Sequence, residues 1–232
     1  MPHRIALVTG ASRGFGLALA KSLATEGWSL VIDARGGEAL AEAADSLRDL
    51  TTVAAIAGDV ADPDHRGQLV TAAAELGGLD LLVNNASILG PSPQPRLAEY
   101  PLHVLSKVYE VNVTAPLGLI QDALPLLRAS GGTIVNVTSD AAVEGYEGWG
   151  GYGSSKAALE QISNVLAAEE PALTVIWFDP GDMSTAMHQE AFPGEDISDR
   201  PPPEASVPPL MRVLGAGAPS GRYQATAETE PS

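Results

Sequence analysis

Short runs dominated by valine, isoleucine and leucine recur along the chain: RIALVT (4–9), SLVIDA (29–34), TTVAAIAG (51–58), LDLLVNN (79–85), GTIVNVTS (132–139) and LTVIWF (173–178). Each reads as a buried strand. Between them lie alanine- and leucine-rich segments with helical spacing, such as Leu17, Ala20, Lys21, Leu23 and Ala24, or Leu159, Ile162, Val165 and Leu166. Strand and helix alternate throughout. With right-handed crossovers this predicts a doubly wound α/β architecture, a mostly parallel sheet covered on both faces, as a single domain over 1–224.

Two stretches break the rhythm. Residues 193–209, PGEDISDRPPPEASVPP, hold six of the eighteen prolines and predict a connection rather than a continuous helix or central strand. The end, 225–232 (ATAETEPS), is acidic and nearly free of large apolar groups, so it is expected to fray. There is no internal repeat.

Charge narrows the partners. Lysine and arginine total 13 against 29 aspartates and glutamates, a net charge of −16, which repels phosphate backbones and anionic membrane surfaces. Neither nucleic acid nor membrane is expected as a partner. The 232 residues include no cysteine, which excludes disulfides and thiolate metal sites. The first strand begins at residue 5, leaving no room for a leader, and no apolar run is long enough to cross a bilayer, so a soluble, cytoplasmic protein is expected. His3, His65, His103 and His188 show no metal-ligand spacing, and no catalytic metal is expected.

The chemistry starts at VTGASRGFG, which places Gly10, Gly14 and Gly16 between the first strand and a helix starting near Arg13. A glycine-rich turn there lets main-chain N–H groups and the helix N-terminus approach a pyrophosphate. A tight strand-to-helix turn without a ligand is the alternative. The second strand ends VIDAR and offers two cofactor preferences. Arg35 and Arg13 can converge on a 2′-phosphate, which favours NADP(H). Asp33 is the rival that would bind a ribose 2′-OH and favour NAD(H).

Tyr152 has Lys156 four places after it, in a chain with only three lysines. On a helix the two share a face, so an ammonium can act on a phenol whose ordinary pKa is near 10. An exposed pair of no chemical importance is the bland alternative.

The pair does not stand alone. TGxxxGxG at 9–16, NNAS at 84–87, NV at 112–113, Ser139, YGSSK from Tyr152 and PGDMST at 180–185 together resemble the short-chain dehydrogenase/reductase family over residues 4–188. The resemblance implies a Rossmann-type sheet. It also implies that Gly10, Ser12, Arg13, Gly14, Phe15 and Gly16 surround the cofactor phosphates and ribose, and that Asp59 with Val60, Asn85 and Ala86 line its adenosine side. Tyr152 would be the catalytic acid and Ser139 would hold the substrate oxygen. Lys156 would bind the nicotinamide ribose and depress the tyrosine pKa, and Asn112 would fix the water that resupplies the proton. Pro180, Gly181, Met183 and Thr185 would orient the nicotinamide amide.

Two positions depart from the family pattern: Ser87, where glycine is usual, and Asp140, where a small or apolar residue follows the serine. Residues 148–189 are similar to sepiapterin reductases and bacterial carbonyl reductases, which implies a compact cyclic or vicinal dicarbonyl substrate. The pterin-anchoring acid of the former has no counterpart here. Residues 186–209, the proline-rich 193–209 above all, are expected to cover the substrate as a lid, with a plain linker as the alternative. Trp149, Tyr146, Met187 and Phe192 are candidate pocket walls. The whole pattern predicts an NADPH-dependent carbonyl reductase acting on a small-molecule carbonyl or alcohol. It is expected to be a homodimer or homotetramer through helices at about 100–129 and 150–169. An NAD-dependent alcohol dehydrogenase and a silent dinucleotide sensor are the rivals.

Overall fold

The computed structural model describes residues 4–225, so His3 and the stretch 226–232 of the acidic end lie outside the described residues. Seven strands form, β1 (Ile5–Val8), β2 (Ser29–Ala34), β3 (Val53–Ala57), β4 (Leu81–Asn84), β5 (Thr133–Val137), β6 (Thr174–Asp179) and β7 (Gly221–Gln224). They make one parallel sheet in the order β3-β2-β1-β4-β5-β6-β7. Leu7 lies opposite Val31 on one side and Leu82 on the other. The helices are α1 (Gly14–Thr25), α2 (Gly37–Arg48), α3 (Pro63–Leu76), α4 (Leu102–Tyr109), α5 (Ala115–Ser130), α6 (Gly150–Glu169), α7 (Ala186–Ala191) and α8 (Val207–Gly215).

The apolar strand runs are explained by two cores. Successive strand residues leave opposite faces, and in β1 Ala6 and Val8 enter one core while Ile5 and Leu7 enter the other. The first core also takes Leu19 and Leu23 of α1, Leu40 and Leu47 of α2, and Leu210 and Val213 of α8. The second takes Leu69 of α3, Leu119 and Ile120 of α5, and Leu166 of α6. Truncating a fully buried leucine such as Leu7 or Leu19 to alanine costs about 2–5 kcal/mol.

Strand order reverses beside β1. The chain steps outward through β2 and β3, then returns to the other side of β1 for β4 to β7. Loops from β1 and β4 therefore diverge at the carboxyl ends of these neighbours and leave a crevice, the place where open α/β sheets bind ligands.

Three elements differ from the sequence reading. The edge strand β7, GRYQ, escaped it because only Gly221 and Tyr223 face inward and are buried, leaving no apolar run. The proline-rich stretch does not merely connect. Residues 203–206 form a 3-10 turn and Val207 opens α8, with Ser206, Val207 and Pro209 buried. Prolines are tolerated there because first-turn N–H groups have no intrahelical acceptor to lose. The helix expected at about 100–129 is interrupted between α4 and α5 by a π turn over Glu110–Thr114. Pro116 follows it and has no N–H to return to the carbonyl of Asn112 four residues back. Among the described residues no helix is long and apolar enough to cross a membrane, and no side-chain cluster suits a metal ion.

Candidate functional site

A cavity of about 780 Å³ occupies the crevice. One end is built by the β1–α1 loop. Gly10 has φ +66°, and a Cβ there would meet Ala86 Cα at 2.9 Å. At Gly16 a Cβ would lie 2.5 Å from Asn85 Nδ2 and 2.6 Å from the Gly10 carbonyl oxygen. Both positions need glycine because two loops touch there. The contact is held by Thr9, whose hydroxyl accepts from the N–H groups of Asn85 and Ala86, and by Asn85, whose amide donates to the carbonyls of Thr9 and Gly10. Arg13 precedes α1 with no side-chain cap, so the first-turn N–H groups are left for a ligand.

Gly10, Ser12, Arg13, Gly14, Phe15, Gly16, Arg35, Asp59, Val60, Asn85 and Ala86 all line this end. Asp33 lines it too, yet is only 1% exposed. Its Oδ1 accepts from the Gly10 N–H at 2.8 Å and its Oδ2 meets His65 Nε2 at 3.0 Å. His65 is buried against Gly58, where any side chain would strike the imidazole. Sequence reasoning set His65 aside as a non-ligand; its only signal was its place six residues after Asp59.

At the other end, α6 carries Tyr152 and Lys156 on successive turns, both buried. Lys156 Nζ donates to the Val137 carbonyl at 2.8 Å and lies 5.5 Å from the tyrosine ring centre. Burial pulls the lysine pKa down to about 8, against the pull of Glu160. Burial likewise pushes the Tyr152 phenol above its ordinary range; Asp179 and Asp140 push it the same way and the Ser87 hydroxyl opposes them. The expected depression by Lys156 is therefore not what this arrangement produces, because desolvation of the phenolate outweighs a cation held on a carbonyl.

Ser139, Pro180, Gly181, Met183 and Thr185 line this end of the cavity. Asn112 does not. Its Oδ1 accepts from the Ile88 N–H and the Ser87 hydroxyl, and its Nδ2 donates to the Ile88 carbonyl and Ser155 Oγ, so the side chain braces two loops. Of the four candidate walls, Trp149 and Met187 border the cavity, while Tyr146 and Phe192 do not. Asp182 to His188 and Ala191 border the cavity, so α7 supplies the part of the expected 186–209 cover that reaches it; from 193–209 only Pro203 does.

One supporting residue was missed with its strand. Arg222 on β7 pairs with Glu160 of α6 at 3.0 Å and Asp179 of β6 at 3.1 Å, and reaches the Ser139 carbonyl at 3.3 Å. Glu160 in turn accepts from the Thr138 hydroxyl. This network ties the ends of β5 and β6 to the helix that carries Tyr152.

A family model for short chain dehydrogenase matches residues 4–196. The chain belongs to that family. It is 40% identical over 174 residues to the rhamnolipids biosynthesis 3-oxoacyl-[acyl-carrier-protein] reductase of Pseudomonas aeruginosa, covering 72% of this chain and 66% of that protein, just under two thirds of its length. Sepiapterin reductase of Mus musculus is 36% identical over 202 residues, covering 81% of this chain and 77% of its own. Among solved structures, a short chain dehydrogenase from Salmonella enterica serovar Typhi superposes with a TM-score of 0.90 at 31% identity, covering 97% of this chain and 96% of the other. Another, from Escherichia coli CFT073 in complex with NADPH, gives 0.86 at 32%, covering 97% of each. As a short-chain dehydrogenase, this chain is an oxidoreductase that uses a nicotinamide dinucleotide.

Proposed function

We propose that this short-chain dehydrogenase is an NADPH-dependent carbonyl reductase that converts a ketone or dicarbonyl to an alcohol. The observation that carries this reading is that one cavity joins an uncapped helix N-terminus behind a glycine loop to Ser139, Tyr152 and Lys156. The residues fit the cofactor: first-turn N–H groups suit a pyrophosphate, and Arg13 and Arg35 suit a 2′-phosphate. Both Asp33 oxygens are engaged by Gly10 and His65, which leaves little of that carboxylate for a ribose hydroxyl and favours NADP(H) over NAD(H).

Bound there, the reduced nicotinamide supplies a hydride to the carbonyl carbon. Tyr152 gives the oxygen its proton; burial keeps the phenol loaded with that proton, and the same rise in proton affinity makes it a weaker acid. Ser139 would hold the same oxygen once its hydroxyl, which donates to Asp140 Oδ1 here, turns toward it. Lys156, charged below about pH 8, stabilises the phenolate left behind and offers N–H groups to a ribose hydroxyl. The amide of Asn112 is fully engaged, so a water that returns the proton would rest on its main-chain carbonyl, which Pro116 deprives of the usual helical donor. Pro180, Gly181, Met183 and Thr185 would orient the nicotinamide amide. The relatives named as a 3-oxoacyl reductase and a sepiapterin reductase speak for a carbonyl substrate.

The reading extends to a soluble, cytoplasmic homodimer or homotetramer joined through α4, α5 and α6, where Leu102 and Val165 are exposed. The test is to titrate NADPH and NADH against fluorescence of the three tryptophans. Absorbance decay is then followed with diketones, quinones and pterins. Selective NADPH binding with consumption on a carbonyl is expected; binding without turnover would leave a silent sensor.

A further inference from the structure

The carboxylates around the cavity are not equally compensated. Asp33 is tied to His65 and Asp179 to Arg222, and Asp182 faces Arg200 at 3.7 Å and His188 at 3.9 Å. Asp59 sits with the adenosine group of residues. Asp140 is different. It is half-buried, lines the cavity next to Ser139, and receives only neutral donors: the Ser139 hydroxyl at 2.9 Å and the Ala141 N–H at 2.8 Å on Oδ1, and the Tyr146 hydroxyl at 3.0 Å on Oδ2. No lysine, arginine or histidine forms an ion pair with it among the described residues.

Its surroundings are apolar and aromatic. Leu89, Ala141 and Tyr152 form a small cluster with Trp149, Met187 and Ala191 packed on it. Trp149 meets Tyr152 edge-on, with ring centres 5.8 Å apart, and borders the cavity. A concave, largely apolar chamber with a few convergent charges is built to orient a ligand. At this end Lys156 is held on the Val137 carbonyl and Asp179 and Asp182 face cations, which leaves Asp140 as the carboxylate without an ion pair among the described residues. Here that charge is negative, it has an aromatic ring nearby, and both features attract a cation.

We propose that the substrate of this site is a compact carbonyl compound carrying a positively charged nitrogen, seated on Asp140 with Trp149 forming part of the wall. The inference rests on the carbonyl-reductase reading and adds the chemical class of the substrate. Turn capping alone does not explain Asp140, because the bonds from Ser139 and Ala141 need an acceptor oxygen and not a charge; asparagine would serve. A cation arriving there also relieves a cost inside the site. The Asp140 charge raises the proton affinity of Tyr152, and a substrate that neutralises it eases transfer of the phenol proton to the carbonyl oxygen.

A matched pair of ketones tests this: (4-oxopentyl)trimethylammonium, permanently charged, and its neutral isostere 6,6-dimethylheptan-2-one. With NADPH at low salt, kcat/KM is expected to favour the charged ketone by about 10-fold or more, the range of one partly screened charge pair. Salt at about 0.5 M should shrink the preference. Asp140→Asn, which keeps the acceptor oxygen, should bring the ratio to about one. A ratio near one in the parent enzyme, or one that Asp140→Asn leaves unchanged, overturns the proposal. If the neutral ketone is reduced and the charged one is not preferred, only this inference falls. If NADPH quenches the tryptophans but neither ketone consumes it, the reductase reading falls and this inference with it.

Discussion

At the glycine-loop end of the cavity the groups offered to a ligand are largely main-chain N–H groups, whereas at the Tyr152 end they are side chains delivered from β5, α6 and the segment after β6. The first end is local in sequence: residues 9–16 make the loop, and Thr9 and Asn85 lock it to one neighbour. The second is assembled over distance, since Arg222 reaches back 62 residues to Glu160 and 83 to Ser139. A backbone site fails when an added atom separates the loops. A side-chain site fails when a chemical group or the strut behind it is removed. The two ends should therefore respond to different substitutions, cofactor affinity reporting one and turnover the other.

The largest expected effect lies at the second end. Tyr152→Phe should lower kcat by about 1,000-fold, within the range of general-acid removal, with the NADPH Kd nearly unchanged. A substantial residual rate would remove Tyr152 from the acid role. At the first end, Gly16→Ala should weaken NADPH by about 100-fold or prevent folding, because the new Cβ meets Asn85 and the Gly10 carbonyl. Fluorescence titration and a melting curve separate those outcomes, and unaltered binding would show that the loops can part. Arg222→Met should strand Asp179 and Glu160, cost about 3 kcal/mol in denaturant unfolding, and lower kcat more than NADPH affinity. Equal losses in both would break the division between the ends.

Two smaller effects sharpen it. His65→Leu should free Asp33 toward the ribose and raise the NADH-to-NADPH ratio of kcat/KM by about 10-fold, the scale of one hydrogen bond to a charged group. His65→Gln, which retains an N–H donor, should restore much of the original preference; a ratio unmoved in both would make His65 merely structural. Lys156 gives a pH signature. Its folded pKa, about 8, lies below its ordinary 10.5, so the unfolded chain binds more protons between those values and the parent gains stability as pH rises through that window. Lys156→Met should thus be inactive yet more stable by about 2 kcal/mol at pH 7, and the gain should vanish by about pH 10.5. A constant difference from pH 7 to 10.5 would contradict the buried charge.

Much of the cofactor end was legible because its signals are short-range. The six apolar runs correspond to β1 to β6: β2 matches its run at both ends, β6 starts one residue later and ends one later, at Asp179, and the other four lose one or two residues at each end. Each residue named around the phosphates and adenosine borders the cavity. The substrate end was legible where a motif fixed it, at Ser139, Tyr152 and Lys156 and along Pro180, Gly181, Met183 and Thr185, and at the candidate walls Trp149 and Met187. Its border was legible in part: α7 lies within the 186–209 stretch expected to cover the substrate, whereas of the proline-rich 193–209 only Pro203 reaches the cavity, and Val207 and Pro209 turn into the fold.

What the sequence by itself determined is the order of strands and helices, the glycines where loops touch, and the helical spacing that puts Tyr152 above Lys156. These depend on neighbours within a few positions, and periodicity and steric size express them directly. Only the tertiary structure decided that both oxygens of Asp33 are taken by Gly10 and His65, that the amide of Asn112 is a brace, and that among the described residues no cation pairs with Asp140. It also decided that burial raises the proton affinity of Tyr152. A charge's partners, and the water it loses on burial, come from chain segments far apart in sequence, so the balance among them exists only once the sheet has brought those segments together.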